Sequence, residues 1–298
     1  VAASPPAGIS LRATGRVAAR QRISRSSTWI LLLCTLVGIV VLVYLGYDIA
    51  RQGGERLFHD FPSFLTSHPS RRELQAGIRS PLLGSAWLIG LTILLAVPVA
   101  VGTAIWIEEF APRNRFTSLV RLNISNLAGV PSIIYGILGL AIFVRAMAMG
   151  GSILAGALTL SLMILPMTVI ASSEAIRQVP PSIRDGSLAL GATRWQTVWH
   201  HTLPGAMPGI MTGTILAVSR AAGEAAALIM IGAFAFIPFD PKSWNDDFTI
   251  LPIQIYEWTL RPGDRFKAEA SAAIIVAMVI VIGLSLVAIV IRNRFRRD

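Results

Sequence analysis

EAIRQVPPSIRDGSLALGATRWQTVWHHTLP, from Glu174 to Pro204, is a polar break between long apolar blocks. Its local signals predict a helix, a glycine turn and a second helix. Pro180-Pro181 stops any incoming helix. Ser182, with Asp185 three residues on, reads as an N-cap and its capping-box partner. A short helix then runs to Leu190, and Gly191 reads as its left-handed C-cap. Thr193 and Gln196 form a second capping box, and the new helix runs until Pro204 stops it. On that helix Trp195, Val198, Trp199 and Thr202 follow the i, i+3, i+4, i+7 spacing of one face. Two tryptophans have no reason to face water. The face either packs on its own bundle or lipid surface, or docks into another protein, and the residues alone leave both open.

Outward from this stretch the chain is strongly apolar. It is 54% hydrophobic and 14% charged, against about 25% charged in an ordinary soluble domain. Trp29–Tyr47 is an apolar run without a charge, longer than a signal-peptide core, and reads as a retained anchor. Further apolar blocks fall at about 82–107, 123–147, 152–172, 206–236 and 270–291. Each is long enough to cross roughly 30 Å of hydrocarbon. The expectation is an all-α integral membrane protein of about six transmembrane helices. It divides into a basic tail (1–28), a first anchor (29–47), a core (75–291) containing the loop 174–205, and a basic C-terminus (292–298).

The formal charge is +10, and every basic residue but Lys242 and Lys267 is arginine. In a chain built of apolar blocks these arginines set orientation rather than bind nucleic acid. With the amino terminus inside, fifteen basic residues fall on inner segments and ten on outer ones, so both termini are placed in the cytoplasm. The tail, with five arginines and no acidic residue, reads as disordered. The segments 48–81 and 237–268 then read as outside loops in which Pro62, Pro69, Pro238, Pro241, Pro252 and Pro262 break helix. Pro131 and Pro166 are expected to kink their helices. Gly205, Gly209 and Gly213, four apart, form a small-residue stripe suited to close helix packing, within this chain or against a partner chain.

The polar stretch resembles the EAA loop of ABC importer permeases. That motif is written EAA, three residues, Gly, nine residues, Ile, one residue, Leu-Pro. Here the register gives Asp185-Gly186-Ser187, Gly191, His201 and Leu203-Pro204, so the spacing is kept while several letters depart. The segments LALGATRWQTV (188–198), GVPSIIYG (129–136), SRAAGEAAAL (219–228) and LPIQIYEW (251–258) resemble the PstA-type branch, which serves phosphate import. The likeness covers roughly residue 75 to the end, and from LPIQIYEW onward it is nearer PstA than PstC.

This resemblance implies a type I importer permease fold with a cytosolic coupling helix, in a bacterial plasma (inner) membrane. It implies that Asp185, Leu190, Gly191, Ala192, Trp195, Leu203 and Pro204 meet the groove of an ATPase. The implied partners are a PstC-type permease, a PstB-type ATPase dimer, a PstS-type external phosphate-binding protein and membrane lipid. Phosphate would pass by alternating access. The chain itself has no Gly-rich loop followed by Lys and Ser or Thr, so it supplies no Walker A site. It is expected to be non-catalytic and to hold no cofactor, with ATP and Mg bound by the partner ATPase. No histidine or cysteine spacing suggests a metal site.

The fifth block carries Arg220 and Glu224, four residues apart and so on one face if the helix continues. They read either as an ion pair that lets the segment insert or as a charged element of the translocation path, with Arg220 meeting an anion. The resemblance favours the path. Arg177, where the loop begins, is a candidate contact at the inner exit, with a lipid headgroup as the plainer alternative. Rival functions are import of another oxyanion such as sulfate or molybdate, a secondary transporter or channel, and a membrane-embedded signalling scaffold.

Overall fold

The computed structural model describes residues 16–72, 75–234 and 236–295. Residues 1–15 of the basic tail and 296–298 of the C-terminus lie outside them. The chain divides into two compact units, residues 1–51 and 52–298. Helix α1 (Arg16–Thr66) runs through the division. In the first unit it is a single helix, and its apolar residues from Trp29 to Tyr47 are exposed, as lipid-facing side chains are. Residues 16–28 are helical rather than disordered. Elongation from an existing helix costs little once nucleation is done, and Ala and Arg are good helix formers.

The second unit contains, in order, α2 (Arg79–Ile105), α3 (Arg115–Ala128), α4 (Ser132–Gly139), α5 (Ile153–Arg177), α6 (Pro181–Ala189), α7 (Arg194–Thr197), α8 (Leu203–Ala222), α9 (Ala226–Met230), α10 (Leu251–Leu260) and α11 (Asp264–Phe295). π-Helical turns extend α2 to Phe110 and α4 to Ala146, and another joins α7 to α8. No strand occurs among the described residues; the one bridge joins Ser152 to Asp247.

Among the described residues, four helices are long and apolar enough to cross a bilayer: Ser27–Phe58, Arg79–Phe110, Ile153–Arg177 and Arg265–Val287. The predicted block 123–147 is a pair instead. Arg115–Ala128 and Ser132–Ala146 meet at 101° across Gly129-Val130-Pro131. Pro131 therefore breaks the helix rather than bending it: it is the extended residue before α4. Pro166 sits inside α5, which runs on through it. The block 206–236 is likewise not one helix; α8 ends at Ala222, and α9 and a loop follow.

Helix α5 is the centre of the second unit, packed between α2 and α8. Leu88, Ile153, Leu160 and Ile164 are fully covered there, with Leu228 and Phe248 closing the far end. In a bilayer these contacts are held by close packing rather than by exclusion of water. The glycine stripe serves this purpose within the chain. A Cβ at Gly209 would lie 2.6 Å from Ala175 Cβ and one at Gly213 2.3 Å from Ala171 Cβ, while Gly205 faces Val179. Only glycine lets α8 come this close to α5.

The predicted outer loops contain substantial helix. In the segment 48–81, α1 continues to Thr66 past Pro62, with one break at Asp60. Pro62 falls just after that break, where its missing N–H costs nothing. In the segment 237–268, Pro252 starts α10 for the same reason. Phe64, Trp258 and Phe266 form a second core with Ala270 and Ala273 of α11, and Arg56 is paired with Glu269 at 2.8 Å. The loop before α10 straps the start of α5: Ile153 and Leu154 donate their N–H groups to the carbonyls of Asp246 and Trp244.

Candidate functional site: the hairpin and its charged root

The hairpin α6–α7 is built by local chemistry. Helix α6 begins at Pro181, with Pro180 before it, and no side chain caps it. Ser182 is therefore not the N-cap expected. Proline at the first helical position brings a preset φ and lacks the N–H a cap would satisfy, so the start moves upstream of Ser182. Asp185 is exposed on the helix.

The other end follows the sequence closely. Gly191 has φ +88°; its N–H bonds the Leu188 carbonyl at 3.0 Å, and the Ala192 N–H bonds Ser187 at 3.3 Å. This is a Schellman cap. Thr193 and Gln196 make the reciprocal capping box of α7. Leu190, at the tip, is 90% exposed.

The aromatic face splits. Trp195 and Trp199 are 58% and 55% exposed and stack at 5.9 Å, with Phe110 6.1 Å from Trp195. Val198 and Thr202 point into the chain and are buried. The wide turn Val198–Thr202 changes the register, so the four residues no longer share a face. The same turn lets the helix pass Pro204. Leu203 N–H bonds back five residues to Val198, and Leu203-Pro204 opens α8 instead of closing α7. From Arg194 to Ala222 the chain is thus one continuous helical stretch.

Charges fasten the hairpin's root. Arg177, the last residue of α5, donates to both oxygens of Glu108 at 3.0 and 3.1 Å and to Glu174 at 2.9 Å. Arg121 of α3 pairs with the same Glu108 and donates to the Ile107 carbonyl. Arg184 of α6 pairs with Glu109 at 2.9 Å and donates to the Ile176 carbonyl at 2.6 Å. Two adjacent carboxylates at the end of α2 therefore tie α3, α5 and α6 together. Glu108 and Glu109 belong to no motif singled out in the sequence. Their mark was visible: two acids closing an apolar block beside Arg113, Arg115 and Arg121.

Arg220 and Glu224 lie at the opposite end of α8 and do not form an i, i+4 pair. The helix ends between them, at Gly223. The Glu224 carboxylate turns forward and accepts the N–H groups of Ala226 and Ala227, at 3.1 and 3.3 Å. Arg220 is exposed, and its guanidinium lies 3.1 Å from Met167 Sδ, with no carboxylate paired to it among the described residues. The structure thus brings Asp185, Leu190, Gly191, Ala192 and Trp195 together on the hairpin and joins Leu203 and Pro204 to its stem. It sets Arg177 at the root and Arg220 and Glu224 at the far end.

Comparison with known proteins gives a consistent picture. Residues 96–297 match the family model described as binding-protein-dependent transport system inner membrane component. The chain is 32% identical to the probable ABC transporter permease protein YqgI of Bacillus subtilis, over 85% of this chain and 90% of that one. It is 29% identical to the phosphate transport system permease protein PstA 1 of Mycobacterium tuberculosis strain H37Rv, over 92% and 89%. Among solved structures, a bacterial alginate ABC transporter aligns at TM-score 0.64 and 17% identity, covering 90% of this chain and 94% of that one. The MetNI methionine ABC transporter aligns at 0.58 and 16%, covering 73% and 95%. These two likenesses concern the fold. With its apolar helices, its hairpin and the family match over most of its length, this chain is a multi-pass membrane protein belonging to the binding-protein-dependent transport system inner membrane component family, the permease subunits of ABC importers.

Proposed function

We propose that the chain is the PstA-type permease of a phosphate importer. The observation that carries this reading is the hairpin: a rigidly capped element whose tip presents Leu190, Trp195 and Trp199 outward, on a chain whose relatives include phosphate permeases. Such a patch suits insertion into an ATPase groove. In this proposal the ATPase dimer is PstB-like and binds ATP and Mg, the second permease is PstC-like, and a PstS-like protein delivers phosphate from outside. Both termini lie in the cytoplasm of a bacterial plasma membrane. The chain performs no catalysis of its own.

Arg220 is the anion contact we place on the path. With Glu224 turned away as a helix cap, its planar donor fork is open to phosphate oxygens. Arg177 meets phosphate at the inner exit only when Glu108 and Glu174 release it. The test is reconstitution of the chain with its partners in vesicles. ATP-dependent uptake of labelled phosphate, not competed by sulfate or molybdate, is expected. Uptake that sulfate or molybdate abolishes would assign another oxyanion, and uptake without an ATPase would end the reading.

A further inference from the structure

Beside the hairpin root lies an open cavity of about 830 Å³ whose wall carries Arg113, Arg115, Arg121, Arg177 and Arg184, with Glu108 facing them. Glu108 serves Arg121 and Arg177, and Glu109 serves Arg184. Arg113 and Arg115 are left over: both are exposed, and neither has an ion-pair partner among the described residues. Helix α3 starts on the rim of this cavity and makes the 101° bend with the helix that follows. Its inner side, with Val120 and Ile124, packs on α5, while Phe116, Leu119 and Leu122 are exposed on its outer side. A helix with one apolar outer face, turned sharply from its neighbour, suits a place along a membrane interface.

We propose that this cavity holds a phosphate group, and that its source is the headgroup of an anionic phospholipid whose acyl chain lies along Phe116, Leu119 and Leu122. Arginine guanidinium groups match phosphate oxygens with planar pairs of donors. Basic clusters at an interface draw anionic lipid. Free inorganic phosphate shares the anion chemistry but makes no use of the apolar stripe beside it. The inference does not depend on which substrate the chain transports.

The test is thermal unfolding of the full-length chain in detergent micelles, titrated separately with phosphatidylglycerol, phosphatidylcholine and inorganic phosphate. Ligand binding to the folded state raises the midpoint. Phosphatidylglycerol should raise it and phosphatidylcholine should not. Arg113→Gln with Arg115→Gln should leave the lipid-free midpoint in place, since neither side chain has an ion-pair partner to lose among the described residues. It should weaken the phosphatidylglycerol response about tenfold or more, as expected for two interfacial cations. Arg113→Lys with Arg115→Lys should keep most of the response, which separates charge from misfolding. Phe116→Ser should weaken the lipid response alone. A variant-sensitive rise with inorganic phosphate that Phe116→Ser leaves untouched would make free phosphate the occupant and overturn the lipid assignment. Equal response to both lipids, or a phosphatidylglycerol response unchanged in the double glutamine variant, would overturn the site. So would an unchanged lipid response with lost ATPase copurification, which would give these arginines to a protein partner.

Discussion

Ser187 of α6 and Thr197 of α7 meet hydroxyl to hydroxyl at 2.9 Å, and both are buried. Ten residues apart in sequence, they close the hairpin behind its glycine turn. A buried hydroxyl left alone costs more than the net value of its bond, whereas removing both partners is nearly neutral. Ser187→Ala should therefore lower stability by about 1 kcal/mol, and the double change with Thr197→Val should recover part of that loss. A double-mutant cycle on thermal unfolding reads the coupling.

Gly191 tests the turn itself. Nothing lies within 4 Å of a Cβ added there, so size is no obstacle and only the φ of +88° is. Gly191→Val should cost on the order of 1–3 kcal/mol of backbone strain and abolish copurification of the ATPase while leaving membrane insertion intact. Gly191→Asn should be far milder, because Asn tolerates the left-handed region. Equal behaviour of the two variants would remove the turn from the coupling argument.

Arg220 and Glu224 should behave as independent residues. Arg220→Ala is expected to reduce phosphate uptake about ten- to hundredfold, the factor for losing a charged hydrogen bond of about 1.5–3 kcal/mol. Adding Glu224→Ala should not restore it. Glu224→Gln keeps an acceptor for the N–H groups of Ala226 and Ala227, so assembly should stay normal. Restoration of uptake in the double alanine variant, at matched membrane levels, would show a pair after all.

Glu108→Gln removes the charge that Arg121 and Arg177 share. The carboxylate side chain is only 8% exposed, but the two arginine side chains are 34% and 47% exposed, so water replaces part of what is lost. The cost should be about 1–2 kcal/mol, below the roughly 3–5 kcal/mol of a fully buried broken pair. Thermal unfolding in micelles checks this, and ATPase copurification should fall with it if the clasp seats the hairpin.

Orientation is open to single-cysteine labelling in a Cys34→Ser background. Asp60→Cys and Asn245→Cys should react with an impermeant reagent from outside, and Leu190→Cys should react only after permeabilisation. Outside reaction at position 190 would invert the topology.

The parts of the hairpin legible from sequence are those set within five or six residues. Gly191 and the Thr193–Gln196 box answer to backbone chemistry that no distant contact overrides. Ser182 misled because Pro181 competes for the same helix start. Pro62, Pro204 and Pro252 misled because proline at a helix start marks a beginning, and sequence does not say which side of a break it falls on. The Arg220–Glu224 spacing assumed that the helix continued, and Gly223 ends it. The clasp at Glu108 joins α2, α3 and α5, and only tertiary packing brings such distant segments together.

The unbroken run from Arg194 to Ala222 has a mechanical meaning. At 1.5 Å per residue it is a lever arm on the order of 40 Å long, with Trp195 near one end and Arg220 near the other. Its shaft is keyed to α5 at Gly209 and Gly213, where only the methyl groups of Ala175 and Ala171 stand between the two backbones and there is little slack to absorb a push. In the proposed importer a thrust at the tryptophans would reach the arginine as displacement of a paired strut, and the bending it requires would be found at the seams around that strut.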